Sequence, residues 1–223
     1  MHQRKSKKFL IYFFLLIIFS TISNNSINNL RFKKIENINI FGLDKKNNKI
    51  LLSELKNLGL ENIFFVDKNK IEKLINSNSL IENYVIFKEY PSTINIKIQK
   101  TNFLAKINNN GKIFLIGSNG KLIFMEKNYS DLPYIFGKPD INEFLEFKKL
   151  IDNSKFSYDK IKKIYFFPSK RWDLELQNNI LLKLPNNITQ ENIDNLIEFL
   201  ENYNGENLRI VDARLENKII LNE

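Results

Sequence analysis

Between residues 9 and 22, eleven of fourteen residues are Leu, Ile or Phe, and Arg4, Lys5, Lys7 and Lys8 stand directly before them. No other stretch of the chain is comparably apolar. Each such residue favours bilayer insertion by roughly 0.3–0.6 kcal/mol, so the run as a whole favours a membrane. The four cations resist translocation. The run therefore predicts a short cytoplasmic stub (residues 1–8), a membrane anchor (9–27), a tether (28–34) and an exported body. Arg31, Lys33 and Lys34 weaken the charge bias without reversing it. As a helix, residues 9–23 span about 22 Å against about 30 Å of hydrocarbon. Continuing to Ile27 gives about 28 Å and brings Asn24, Asn25 and Ser26 to the outer interface, while Lys7 and Lys8 snorkel at the inner one. The expected membrane residues are Phe9, Leu10, Ile11, Phe13, Leu15, Leu16, Ile17, Ile18, Phe19 and Ile22. A cleaved signal peptide has an apolar core of similar length, although residues 20–25 offer no small-x-small cleavage site. Both readings place the body outside the cytoplasm.

The 223-residue chain contains no cysteine, so an exported body is held by its cores and not by disulfides. Its one histidine is His2, which excludes His-centred metal sites and Ser-His-Asp or Cys-His catalysis in the body. The net charge of +9 includes +4 from the stub; the remaining Lys and Arg are interspersed with acids and read as a solvated surface, not a nucleic-acid groove. Paired carboxylates remain chemically conceivable. Asp131, Asp140, Asp152, Asp159, Asp173 and Asp212, however, lie at irregular spacings that read as caps, turns and salt links. The glycine pair around Ser118 and Asn119 sits between two strand patterns and matches no phosphate-binding loop. No cofactor is implied.

Along the body, residues 35–41 read as a strand ending at Gly42. Leu51, Leu55 and Leu58 at helical spacing predict a helix over 50–58, with Gly59 as its stop. Asp67 is placed to cap a second helix over 68–76, whose Ile71, Leu74 and Ile75 share a face. Strands follow over 81–89 and 93–99, the second alternating Ile94, Ile96 and Ile98 with polar residues. This strand-helix-helix-strand-strand order predicts a three-stranded sheet with two helices on one face, an α+β unit over residues 35–102. The rest, 103–223, is mostly strand: 103–107, 112–116, 121–125, 161–167, 172–176, 180–184, 208–211 and 218–221. Residues 131–137 read as loop, 141–151 as helix. Thr189 or Asn187 caps a final helix with an apolar stripe of Ile193, Leu196, Ile197, Leu200 and Tyr203, which packs on the sheet.

The ordered features resemble the FtsQ/DivIB family of bacterial division proteins. Ile38-Asn-Ile-Phe-Gly42 is similar to the opening of the family's POTRA module. Gly59-Leu-Glu-Asn-Ile-Phe-Phe-Val-Asp67 is similar to the link between its helices, and Tyr90-Pro91-Ser92-Thr93-Ile94 to its W-P-x-T-L turn. Arg171-Trp-Asp-Leu-Glu-Leu176, Leu182-Lys-Leu-Pro185 and Ile210-Val-Asp-Ala-Arg214 resemble R-W-x-L-x-L, L-x-L-P and I-D-L-R. The sequence departs from the pattern at Tyr90 and Lys88, which stand for Trp and Arg, and at Leu43, which stands for Asn; the stub is also very short.

The resemblance implies a retained anchor in the cytoplasmic membrane, a POTRA module and a C-terminal β domain. It implies a non-enzymatic scaffold at the division septum that binds FtsB and FtsL and, through them, acts on the septal synthase FtsW–FtsI. The POTRA hairpin and first strand are expected to serve recruitment. A free edge on the last strand could take a partner's strand through main-chain hydrogen bonds. The expected contact residues are Asp212, Arg214, Leu215, Lys218, Ile219, Ile220 and Leu221, with Ile220→Pro as a test that breaks capture. Trp172, on a strand with alternating leucines, reads as core. The alternatives are an exported cell-wall enzyme using carboxylates and a POTRA-bearing secretion or outer-membrane assembly factor. The first lacks a local motif, and the second usually carries a series of membrane strands absent from this sequence.

Overall fold

A computed structural model of the chain describes residues 4–21, 34–124, 129–203, 205, 208–215 and 218–222. The first element, α1 (Arg4–Thr21), carries every large apolar side chain from Phe9 to Phe19 on its exposed surface. It has 18 residues, and its first two turns hold Arg4, Lys5, Lys7 and Lys8. The expected anchor over 9–27 runs beyond this helix, and among the described residues no helix is long and apolar enough to cross a membrane. Cations occupy the start of α1, and its apolar part covers only about 20 Å. Ile22 and the rest of the expected anchor lie outside the described residues.

The first folded module comprises β1 (Asn37–Phe41), α2 (Lys45–Asn57), α3 (Lys68–Ser77), β2 (Ile81–Glu89) and β3 (Thr93–Lys100). Its sheet runs β1-β3-β2, with β1 parallel and β2 antiparallel to the central β3. Leu51, Leu55, Ile71 and Ile75 from the helices pack on Ile94, Ile96 and Ile98 of β3. Asp67 caps α3 by accepting from the amides of Asn69 and Lys70, and Gly59 takes a φ of +62° after α2, both as the sequence predicts. The start of α2 is five residues earlier than predicted. Asp44 accepts from Lys46 N and Asn47 N, and this cap lies ahead of a first turn with no apolar residue to mark it. At Gly42, φ is +115° and any Cβ would overlap the Ile98 carbonyl, so only glycine fits where β1 turns toward α2.

The second module contains β4 (Phe103–Asn109), β5 (Lys112–Gly117), β6 (Leu122–Phe124), β7 (Tyr134–Phe136), α4 (Ile141–Asn153), β8 (Ile161–Phe166), β9 (Trp172–Leu176), β10 (Leu181–Lys183), α5 (Gln190–Asn202), β11 (Ile210–Leu215) and β12 (Lys218–Asn222). Its nine strands form one sheet in the order β12-β11-β10-β9-β8-β7-β4-β5-β6. The short β7, predicted as loop, is the bridge of this sheet. It pairs in parallel with β4 on one side and β8 on the other, joining the antiparallel β4-β5-β6 to the strands β8 to β12, which are antiparallel except between β10 and β11. Helices α4 and α5 bury Phe144, Phe147, Ile151, Ile193 and Leu196 against Ile107, Ile135, Ile164, Trp172, Leu174, Leu182 and Val211. Asp140 with Glu143, and Thr189 with Asn192, form capping boxes at the two helix starts. The strand predicted over 208–211 runs further, to Leu215, because beyond its parallel pairing with β10 it continues antiparallel with β12 as far as the Leu215–Lys218 pair.

The modules meet through the turn between β5 and β6. The Glu82 carboxylate on β2 accepts from the hydroxyls of Thr101 (2.9 Å) and Ser118 (2.7 Å). Asn119 Nδ2 donates to the carbonyls of Ser79 and Ile81, both at 2.9 Å, and Lys121 Nζ to the carbonyl of Asn78 at 3.2 Å. Residues 118–121 thus hold the first module from the second.

Candidate partner-binding edge

Strand β12 ends the nine-stranded sheet, and no described strand pairs with its outer side. Which of its residues offer backbone groups outward follows from the register. Leu181 N donates to Arg209 O at 2.8 Å, so in this parallel pairing Val211 directs its backbone groups to β10, and Ile210 and Asp212 direct theirs to β12. The partners of Ile210 and Asp212 are Asn222 and Ile220, which therefore point inward. Just before β11 the chain departs from this alternation, and Arg209 N also donates to Asn222 O at 3.1 Å. Ile219 and Leu221 then present their N–H and C=O groups to the free edge. This corrects the choice of Ile220→Pro as a probe of docking: that substitution removes a donor of the β11–β12 ladder and damages the strand itself.

The side chains divide differently. Leu221, opposite Val211, packs against the core, whereas Leu215, Ile219 and Ile220 are exposed. Ile219 lines a cleft of about 850 Å³ between the β11–β12 hairpin and the first turn of α5. Three cations, Arg171, Arg214 and Lys218, border it beside one acid, Glu191. The amino end of α5 adds the partial positive charge of its unpaired amides. Arg214 is held by Asp212, Nε donating at 2.8 Å and Nη2 at 2.5 Å. Those hydrogen bonds hold the Asp212 carboxyl below the usual aspartate range. Arg171 Nε donates to the buried Asp173 at 3.1 Å, and Asp173 also accepts from Leu184 N at 3.3 Å. Lys183 lies between Asp173 and Asp212 in the cross-strand row. Both guanidinium groups are thus fixed in orientation and already paired with aspartates of this chain.

The sequence placed Asp212, Arg214, Leu215, Lys218, Ile219, Ile220 and Leu221 together, and the fold brings all seven to one hairpin. It did not associate Arg171 or the amino end of α5 with them. These lie 20 to 50 residues earlier and arrive only because β9, β10 and β11 are neighbours in the sheet. Trp172 points into the core, 6% exposed. The hairpin expected to serve recruitment places β2 at a sheet edge, with Phe41, Val85 and Phe87 exposed and Lys97 Nζ 5.4 Å from the Phe87 ring.

The scattered acids have structural partners: Asp140 caps α4, Asp152 pairs with Lys148, Asp159 accepts from Ser157, and Asp131 from Ser130. Among the described residues no cluster of three His, Asp or Glu side chains is placed to hold a metal ion.

On the sheet face away from the helices, Glu175 accepts from Lys163 Nζ (2.9 Å) and Tyr165 Oη (2.7 Å). Burial pulls its carboxyl upward, but those two hydrogen bonds outweigh it and hold the group below its ordinary value near 4.5. A carboxyl lowered in the folded state stabilises it above the unfolded value, and that stabilisation is lost as pH falls through the folded value. Glu175→Gln is therefore expected to melt lower than the parent at pH 7, and the difference is expected to shrink as pH falls from the ordinary value near 4.5 through the lower folded value. Thermal melts across pH 3–7 check this, and a gap that is constant with pH would contradict it.

The family model described as POTRA domain, FtsQ-type, matches residues 33–100, and that described as Cell division protein FtsQ/DivIB, C-terminal, matches residues 99–214. Strand β12 lies beyond the second match. The cell division protein FtsQ of Rickettsia bellii is 25% identical over 201 residues, covering 83% of this chain and 70% of the relative. FtsQ of Bradyrhizobium diazoefficiens is 20% identical over 171 residues, covering 73% and 49%. DivIB of Clostridium acetobutylicum is 32% identical over 107 residues, covering 46% and 43%. The chain thus spans between about two fifths and 70% of the length of these relatives. Among solved structures, the major extracytoplasmic domain of DivIB from Geobacillus stearothermophilus aligns over 47% of this chain and 88% of that one, at 15% identity and a TM-score of 0.33.

Proposed function

Because the chain belongs to the FtsQ/DivIB family of cell division proteins, we propose that it is a membrane-anchored scaffold of the division septum that captures partner proteins along β12. The carrying observation is the outward-facing backbone of Ile219 and Leu221 beside a cleft edged by Arg171, Arg214 and Lys218. Main-chain pairing asks little of a partner's side chains, and Lys218 at the start of the edge strand favours a partner with a carboxylate next to its pairing strand. In this reading the partners are FtsB and FtsL, and through them the septal synthase FtsW–FtsI is reached. No covalent step is required of the scaffold.

The anchor in this reading is the run 9–27, with the stub in the cytoplasm and both modules outside. The exposed Phe9–Phe19 surface of α1 supports it, as do the four cations at its start. The module over residues 35–102 serves recruitment, and that over 103–223 serves partner capture. Depletion of the protein followed by microscopy tests the proposal. The expected result is filaments without septal FtsB; normal septa on depletion would overturn it.

A further inference from the structure

The end of the first module at which the chain arrives is unusually aromatic. Lys34 bridges to Asn62, Ile35 N donates to Glu61 O at 3.1 Å, and Glu36 N donates to Ser92 O at 2.9 Å. The same Asn62 side chain accepts from Phe64 N and Phe65 N, at 3.1 and 3.0 Å. This turn presents Phe64 and Phe65 with 54% and 74% of their surfaces exposed. Tyr90, 59% exposed, stands with its ring 5.1 Å from that of Phe64. Three large rings therefore share the face through which the tether enters. Neighbouring charges are of both signs: Lys34, Lys68 and Lys88 beside Glu36, Glu61 and Glu89, with Lys68 paired to Glu72.

We infer that Phe64, Phe65 and Tyr90 form a foot by which the first module rests in the headgroup region of the bilayer. The inference builds on the anchoring described above. With an anchor ending at residue 27, only residues 28–34 lie between the bilayer surface and the bridge at Lys34, a reach of no more than about 25 Å. That tether holds the aromatic face near the lipid. Aromatic rings partition to the membrane–water interface, where tyrosine keeps its hydroxyl wet while its ring is covered. The mixed charges give no net attraction to anionic lipid, so the occupant is the interface of a neutral bilayer.

The chain has no native cysteine, so a single introduced thiol takes a nitroxide label uniquely. The full-length protein is reconstituted in phosphatidylcholine vesicles, with the label placed at Phe65→Cys, Leu15→Cys or Glu146→Cys in separate preparations. Collision with oxygen, which concentrates in lipid, is compared with collision with a water-soluble nickel chelate. The expected result is a lipid-like oxygen preference at position 15, an intermediate oxygen preference at 65 and a water-like response at 146. Adding Phe64→Ser and Tyr90→Ser is expected to shift position 65 to the water-like value, with far-ultraviolet circular dichroism and the melting profile unchanged as a sign that both modules are intact. A water-like response at 65 with a lipid-like one at 15 overturns the foot while leaving the anchor. A water-like response at 15 overturns the anchor, and the foot with it. A label at 65 shielded from both reagents signifies a protein partner on this face and also overturns the inference.

Discussion

In the proposed capture of FtsB along β12, Ile219→Pro is expected to weaken binding by about ten- to a hundredfold while leaving the fold intact. Proline removes one N–H from the free edge and sets its ring against the space a paired strand occupies. A hydrogen bond contributes about 0.5–1.5 kcal/mol net, and about 1.4 kcal/mol is tenfold in affinity; steric exclusion accounts for the rest. The inward ladder, formed through Ile220 and Asn222, is untouched. Ile219→Ala separates the contributions, because it trims the side chain in the cleft but keeps the backbone donor, and should bind within a few-fold of the parent. Ile220→Pro is the complementary control and should lower the melting temperature. Titration of the full chain with FtsB measures all three. Equal affinity for Ile219→Pro and the parent would remove edge pairing as the mode of capture.

Trp172→Ala is expected to destabilise the second module by about 3–5 kcal/mol. The indole stacks on Phe147 at 4.6 Å between ring centres and 9° between planes, and touches Phe166 at 4.5 Å and Phe144 at 6.5 Å. It thereby ties α4 to β8 and β9, so its removal opens a void shared by three elements. Domains are typically stable by about 5–15 kcal/mol, so the variant should sit near its unfolding threshold. For a chain of this length the midpoint should fall by roughly 10 °C. Urea unfolding followed by circular dichroism measures the loss; less than about 1 kcal/mol would show that the aromatic cluster does not organise the core. Trp172→Phe, which keeps a ring, should recover most of the stability.

These two residues also show what the sequence made legible. Trp172 alternates with Leu174 and Leu176, and that period of two put it inside before any coordinates. Asp67, Gly59 and Thr189 were readable for a similarly local reason, since a cap acts on amides two or three residues away. Strand β7 was not. Three residues between Pro133 and Gly137 cannot show a period, and their strand character comes from partners 28 residues before and 29 after. The cleft escaped notice because Arg171 and Asn192 meet Ile219 only through the order of the sheet. The same holds for Glu82, Ser118 and Asn119, which read as ordinary strand and turn residues.

Those last contacts bear on where the partner is met. With Glu82, Asn119 and Lys121 fastening the modules, β12 is fixed relative to the point at which the tether arrives. Under the anchoring and strand capture proposed above, the protein would work as a depth gauge: it would set one height above the bilayer at which an incoming strand can register, and a partner whose pairing segment lies too near to or too far from its own membrane helix would be rejected by length before any side chain is read.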